Sequence, residues 1–472
     1  MKMEQSDSTS QNLYPQAPLP VTPPGLHAIY SACRKLYQDQ PNPLQVTAVR
    51  KYWLGGPDPL DYISMYANPG DAERDIPPHW HYVSFGLSDL HGDGRVHECT
   101  GPQAISGFGF ELTFRLKREP EETAPPTWPA ALMQALARYV FQSENTLCVG
   151  DHVPWHSPLD GSESRIQHML MTEDPQLRCI NSPFGTVTFV QIVGVCAEEL
   201  KAAQHWNGSG VSQLMSAVNI AGGVWLITDM RRGETIFDLN PQLQEEVDQG
   251  IEIEGSNLSG VTSCCSWEQL SDYTFSGTDE NKENEADRRL LSQSESDQIR
   301  AALKNGLNSS LPVLPPIIPV TDEHLTSHPD ARRNNSSRKE SIDSCLRPET
   351  PSDILRTRSI EGVHLKLNLE AGSLLPLAVK GRLRHGRHFT FKSVMNDVAV
   401  TLVSNLVVGS IVDEHNPYAA HGPWLQILLM DDFMEDFMAD ISELTHMPDS
   451  QLPKTYQWPS HKLTITILAD EV

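Results

Sequence analysis

From Gly107 to Lys117 the chain alternates without a break, Phe108, Phe110, Leu112, Phe114 and Leu116 standing against Gly109, Glu111, Thr113, Arg115 and Lys117. Successive side chains of an extended strand point to opposite faces, so this run predicts a strand with one face buried and the other wet. A sheet is therefore required, with something packed on one side of it. Helical spacing supplies candidates for that layer. Leu26, Ile29, Tyr30, Cys33 and Leu36 follow Pro23-Pro24-Gly25 at three- and four-residue steps, which predicts a short helix where folding begins. Pro129 to Phe141 has proline in a first turn and Leu132, Leu136 and Val140 along one face, which predicts a second helix. Further strands are expected at Thr186 to Val195 and Gly223 to Thr228.

Alternation returns near the C-terminal end, at Val363, Leu365, Leu367 and Leu369, at Val398, Val400 and Leu402, and at Leu463, Ile465 and Ile467. Phe433, Phe437, Ile441 and Leu444 line one face of a helix whose other face is acidic, with Asp431, Asp432, Glu435, Asp436 and Asp440. Between the two periodic regions, residues 268–355 are polar and proline-interrupted, with one island, Asp297 to Asn305 before Gly306, that reads as a helix of the second domain. The fold class is α+β: two mixed α/β-sheet domains joined by a linker, with a disordered insertion in the second. The expected division is a disordered tail over 1–24, a first domain over 25–267, a linker over 268–292, and a second domain over 293–472 interrupted by the insertion at about 307–354.

A formal net charge of −25 repels phosphate backbones and anionic membranes, so neither nucleic acid nor a membrane is expected as a direct partner. No stretch reaches the roughly 18 consecutive apolar residues of a membrane span, and the N-terminus has no apolar leader. Eight cysteines without a CxxC pair fit free thiols in a reducing compartment. The chain is expected to be soluble and not secreted.

The chemistry-bearing clusters are few. Gly107-Phe-Gly109 lacks a third glycine, and there is no phosphate-binding loop, serine elbow or HExxH pair. His79-Trp-His81, with His91 and His97 behind it, is the strongest metal candidate, but two imidazoles on a strand fall short of the three or four ligands zinc needs, and no metal is assigned. Cys148, His152 and His156 around Gly150-Asp151 could support a cysteine hydrolase only if they converged in space. Lys380, Arg382 and Arg384, followed by Arg387, His388 and Lys392, form a basic stripe that reads either as a strand face for nucleic acid or, preferably, as partners for the chain's own acids. Ser341 and Ser344, beside Arg338 and Lys339 in the insertion, form a kinase-accessible phosphorylation pattern.

Longer motifs carry a resemblance. PPGLHAIY at 23–30, YWLGGPDPLDY at 52–62, HWHYVSFGLSDL at 79–90, SGFGFELTFRLKRE, APPTWPA, ARYVFQSEN, WLITDMRRGETIF, LKLNLEAG, HGRHFTFKS and PYAAHGPWLQILL together resemble the suppressor of fused family, in order and across both expected domains. What the resemblance implies is a non-enzymatic, cofactor-free negative regulator of Hedgehog signalling, cytoplasmic with a nuclear fraction and monomeric. Its implied partner is a Gli/Cubitus interruptus-type zinc-finger transcription factor, with the fused-type kinase and other Hedgehog pathway proteins as further candidates. The family's ligand is an extended Ser-Tyr-Gly-His-Leu peptide held between the domains by strand addition. Carried onto this chain, the groove would use Tyr139, Asp151 and His156 of the first domain and Glu370 and Leu374 of the second. The resemblance departs at Leu147, where vertebrate members have an aromatic residue. The alternative is a metal-dependent or cysteine hydrolase built on His79 and His81 or on Cys148, His152 and His156.

Overall fold

The computed structural model describes residues 22–270, the two-residue strand Ile318–Pro319 and residues 357–469. The expected helix at Asp297 to Asn305, most of the insertion at 307–354, and Ser341 and Ser344 lie outside these. The chain divides into two compact units, one of residues up to 201 with 208–241, the other of 202–207 with 242 onward. No helix among the described residues is long and apolar enough to cross a membrane.

In the first unit, helix α1 (Pro24–Leu36) begins with proline in its first turn, where the missing N–H costs nothing, and buries Ile29 and Cys33. Strands β1 (Leu44–Thr47), β2 (Tyr62–Asn68), β3 (His79–Phe85) and β4 (Ile105–Lys117) precede helix α2 (Trp128–Ser143). Strands β5 (His152–Pro154), β6 (His168–Glu173), β7 (Ile180–Ser182) and β8 (Gly185–Val195) follow it. They form one sheet in the order β1-β2-β3-β4-β8-β6-β5, with β7 also on β8. Leu132, Leu136 and Val140 of α2 pack on Leu112, Phe114 and Ile192 of the sheet, while Ile29 and Cys33 of α1 join Val83, Phe85 and Phe189 in a second cluster.

The long strand lies where alternation predicts, but its polar face is not wet: Glu111, Thr113 and Arg115 are each fully buried. Each finds partners from distant sequence. Glu111 accepts from the amides of Gly86 (2.9 Å) and Ser88 (3.0 Å) and from the hydroxyls of Ser84 (2.5 Å) and Ser88 (2.6 Å), which pins the turn after β3. Burial of a carboxylate is tolerable when its lone pairs are used in this way. The strand expected at Gly223 to Thr228 is a 3-10 turn over Gly223–Trp225, with a single bridge from Thr228 to Leu116. Gly222 (φ 112°) and Gly223 (φ 59°) hold backbone angles that glycine adopts at no steric cost, and two of them in succession turn the chain here.

The first unit ends earlier than the expected boundary at Trp267. Strands β9 (Gly260–Ser263) and β10 (Cys265–Gln269) pair with strands of the second unit, so hydrogen bonding across long sequence separation moves the division to 241/242. The remaining strands are β11 (Ile318–Pro319), β12 (Thr357–Ser359), β13 (Val363–Asn368), β14 (Phe389–Ser393), β15 (Ala399–Val403), β16 (Val407–Val408), β17 (Tyr418–His421), β18 (Trp424–Leu428), β19 (Lys454–Trp458) and β20 (Leu463–Leu468). One sheet runs β10-β13-β20-β19, another β12-β17-β18-β15-β14-β9, and β11 pairs with β16. The helix Asp431–Ile441 buries Phe433, Phe437 and Ile441 in their shared core and turns Asp431, Asp432 and Glu435 outward.

The basic stripe is not a strand face. Lys380 closes the helix Leu375–Gly381 and Arg384 sits in the turn Leu383–His385. Lys380 lies 3.5 Å from Glu252 and Arg384 2.6 Å from Glu435, while buried Arg382 donates to the carbonyls of Ser256 (2.9 Å) and His388 (3.0 Å). Lys380 and Arg384 thus face the chain's own surface acids while Arg382 is turned inward to backbone carbonyls, so these three cations do not line up on one face.

Candidate peptide-binding site

Strand β5 is the free end of the first unit's sheet. Among the described strands it pairs with β6 alone, His152 opposite Leu170, Val153 opposite Met169 and Pro154 opposite His168. The Asp151 carbonyl accepts from the Met171 amide at 2.9 Å, so antiparallel alternation turns the backbone groups of Val153 toward β6 and those of His152 and Pro154 outward. Pro154 has no N–H to offer, which explains how proline is accommodated here and leaves the His152 N–H as the outward donor.

Beside this edge opens a cleft of about 780 Å³ lined by Leu136 and Tyr139 of α2, by Leu147 and Asp151 of the following loop, and by Val153 and Trp155. Tyr139 is 47% exposed, and its hydroxyl accepts from the Asn145 side-chain amide at 3.1 Å, which leaves the O–H able to donate. Asp151 closes the loop onto itself: its Oδ2 accepts from the Cys148 N–H at 2.7 Å, while Oδ1 engages no other described residue. One carboxylate oxygen thus shapes the loop and the other is available to a cation. His156 lies just past the lining, exposed and at φ 60°, with its ring edge-on to buried His168 at 5.1 Å. Leu147 is buried in the core that α2 covers, so the position is occupied by packing rather than by an exposed ring.

In the second unit Glu370 stands on the single-turn helix Leu369–Gly372 directly after β13. It is exposed, and its carboxylate meets no other described residue. Leu374, half-buried, packs on the second unit's core just before the helix Leu375–Gly381. Strand β9, against which the Glu370 helix packs, is the free end of the six-stranded sheet. Each unit therefore carries a sheet edge with an available carboxylate close by. The expected residues Tyr139 and Asp151 meet in one cleft, His156 adjoins it, and Glu370 and Leu374 lie together four residues apart in the other unit.

The hydrolase arrangements do not assemble. The Cys148 thiol has the Thr146 hydroxyl 3.9 Å away and no hydrogen bond to an imidazole among the described residues. His79 and His81, neighbours of Arg115 across β3 and β4, are both buried. His79 Nδ1 lies 2.9 Å from the Pro77 carbonyl and so must carry the proton, which leaves Nε2 to accept from Arg115 Nη1 at 2.9 Å. His81 is the opposite tautomer: Nε2–H donates to Asp174 Oδ2 at 3.0 Å, and Nδ1 accepts from the Tyr37 hydroxyl at 2.7 Å. Both rings are neutral with every nitrogen committed, and neither retains a lone pair for a metal. Asp174 binds Arg115 at 2.9 Å and the amides of Gln176 and Leu177; burial alone would raise its carboxyl, but His81 and Arg115 outweigh burial and hold it well below the usual range.

Burial, and next the Arg115 charge, lower His79 to about 3 and His81 to about 4 from the ordinary 6.5. As pH falls below 6.5 the unfolded chain takes up protons that the folded network refuses, so stability is lost in that direction. By pH 5 the expected loss is about 2 kcal/mol per imidazole, read as a falling urea midpoint of the first unit. A midpoint level between pH 7 and 5 would show that the rings protonate without unfolding.

Periodicity alone missed Arg115, Asp174 and the edge position of β5. The one local signal for the edge was Pro154 inside an otherwise strand-compatible run.

Comparison with known proteins agrees with this two-unit architecture. A family model described as Suppressor of fused protein matches residues 56–233, and one described as Suppressor of Fused Gli/Ci N terminal binding domain matches residues 245–467. The chain is 59% identical over 450 residues to the human suppressor of fused homolog, covering 95% of this chain and 92% of the human one. It is 58% identical over 458 residues to the mouse homolog, with the same coverage of 95% and 92%. Among solved structures, that of Drosophila Suppressor of Fused superposes with a TM-score of 0.70 at 39% identity, covering 95% of this chain and 98% of that one.

Proposed function

The chain belongs to the suppressor of fused family, and from that premise we propose that it is a non-enzymatic negative regulator of Hedgehog signalling that binds and sequesters Gli/Cubitus interruptus-type zinc-finger factors. The partner is held by a short extended peptide that takes strand contacts and carboxylates from both units. Acting in the cytoplasm with a nuclear fraction, the protein restrains the factor's nuclear entry and transcriptional activity by mass action.

The observation that carries this reading is the edge strand His152–Pro154 beside a cleft lined by Tyr139 and Asp151. A free edge supplies main-chain pairing, and alternate side chains of an added strand fall into flanking pockets. The Asp151 carboxylate and the chain's net charge of −25 favour a cationic side chain, which in Ser-Tyr-Gly-His-Leu is the histidine.

Titration of the intact protein with a labelled Ser-Tyr-Gly-His-Leu peptide is expected to give saturable binding, weakened when leucine replaces the peptide histidine. A folded protein that takes up neither peptide would sink the proposal.

A further inference from the structure

His168 belongs to no function assigned so far, yet it underlies the edge on which the proposed peptide would pair. It opens β6, opposite Pro154 of β5 on one side and Val195 of β8 on the other. Its side chain is 4% exposed. Its Nδ1 lies 3.1 Å from the Trp155 N–H and 3.4 Å from the His156 N–H, and because both are donors this nitrogen must be unprotonated and accept. The chain thus leaves β5 by hanging two consecutive amides on one imidazole lone pair. That contact directs Trp155 into the cleft lining and holds His156 in its left-handed conformation, with the two imidazoles edge-on at 5.1 Å.

We infer that His168 is the positioning residue of this edge: its unprotonated Nδ1 fixes the Trp155–His156 exit from β5, so that the cleft is in binding form only while that nitrogen is free of a proton. The inference deepens the proposed function and rests on it for its consequence in peptide binding.

Protonating Nδ1 turns the acceptor into a donor facing two donors, and places a positive charge in a buried site. Burial and the neighbouring His156 ring make this harder. His156 is the ring in contact, Asp151 and His152 lie at the start of β5, Cys196 follows β8, and helix Gly208–Ser216, packed on β6, has no titratable side chain. Burial first, then His156, hold His168 below its ordinary 6.5. The acceptor therefore persists at neutral pH and is lost on acidification below that value.

The test uses the full chain and two readouts, hydrogen-exchange protection of the Trp155 and His156 amides without peptide, and affinity for labelled Ser-Tyr-Gly-His-Leu. His168→Asn keeps an acceptor oxygen near the position of Nδ1 but cannot titrate; His168→Leu removes the acceptor. Circular dichroism checks that both fold. In His168→Leu, amide protection and affinity are each expected to fall about tenfold. In His168→Asn both should stay near the wild-type values at pH 7.5. Lowering the pH stepwise from about 7.5 to the onset of unfolding should reduce Trp155 and His156 protection factors in the wild type ahead of those of His168→Asn. Wild-type protection in His168→Leu, or wild-type and His168→Asn proteins whose Trp155 protection factors follow the same course across that pH range, would overturn the inference. Protection that moves as expected in a protein that binds no peptide would uphold the positioning role and remove the proposed ligand instead.

Discussion

Arg115→Met is expected to destabilise the first unit by about 3–5 kcal/mol, the range for removing one member of a buried ion pair. The guanidinium is fully buried and donates to Asp174 (2.9 and 3.1 Å), Gln191 (3.0 Å), Gln176 (3.0 Å) and His79 Nε2 (2.9 Å). Methionine has the length to fill the space but no donor, so the substitution leaves a buried carboxylate without its counter-ion and takes the Arg115 donor from Gln191 Oε1 and His79 Nε2, while Gln176 Oε1 keeps the Asn68 amide at 2.9 Å. Removing the charge from the other side as well should return part of the loss. The double variant Arg115→Met/Asp174→Asn is expected to be less destabilised than the sum of its single variants, because the most costly product of either single change is an uncompensated charge. Urea unfolding followed by amide exchange in β3 and β4 reports this unit separately from the second. A loss under about 1 kcal/mol, well short of the buried-pair range, would mean that water or neighbouring groups take over the Asp174 oxygens.

Asp151→Asn should weaken the histidine-bearing peptide by about 10- to 100-fold while leaving the fold intact, the range expected for a charge-assisted hydrogen bond in a partly desolvated cleft. Asparagine is the informative change because Asp151 has two tasks. Its Oδ2 holds the Cys148 amide and so shapes the loop, and an asparagine oxygen can do the same; only the negative charge is lost. Asp151→Ala removes both and should lower stability as well as affinity. If Asp151 faces the peptide histidine, a peptide with leucine at that position should bind wild type and Asp151→Asn alike. Glu370→Gln tests the second unit by the same logic, without a structural role to confuse it, since that carboxylate engages no other described residue. Unchanged affinity in Asp151→Asn would assign Asp151 to the loop alone.

Sequence and structure agree where the information is local. The strands at 105–117, 185–195, 363–368 and 463–468 and the helices at 24–36, 128–143 and 431–441 follow periods of two or 3.6 residues, and those periods survive because one face of each element packs into an apolar core. Agreement fails where a partner comes from far away. Glu111, Thr113 and Arg115 read as a solvent face, yet residues 84–88, 174 and 191 enclose them. His79-Trp-His81 reads as a metal candidate short of ligands on a half-exposed strand face, whereas both rings are buried and Tyr37, Arg115 and Asp174 take up their nitrogens. The glycines at 222 and 223 replace an expected strand by a turn through left-handed backbone that hydropathy does not register.

The candidate site divides in the same way. Asp151 and Tyr139 are twelve residues apart, and no spacing rule joins them; family resemblance pointed to both, and the fold sets them in one cleft because α2 and β5 pack on the same sheet. His168 carried no signal at all, since a histidine opening an apolar strand is indistinguishable in sequence from one that packs passively.

What the sequence by itself determined is the most strongly periodic elements, the α+β class, the acidic character of the chain and its family, all properties carried by neighbouring residues or by long contiguous motifs. Only the tertiary structure decided which polar residues are buried, which histidines keep a free lone pair, where one unit ends and the next begins, and that β5 and β9 are edges. Hydrogen-bond partners and sheet order depend on residues tens to hundreds of positions apart, and a strand becomes an edge through the absence of a neighbour, which no local pattern encodes.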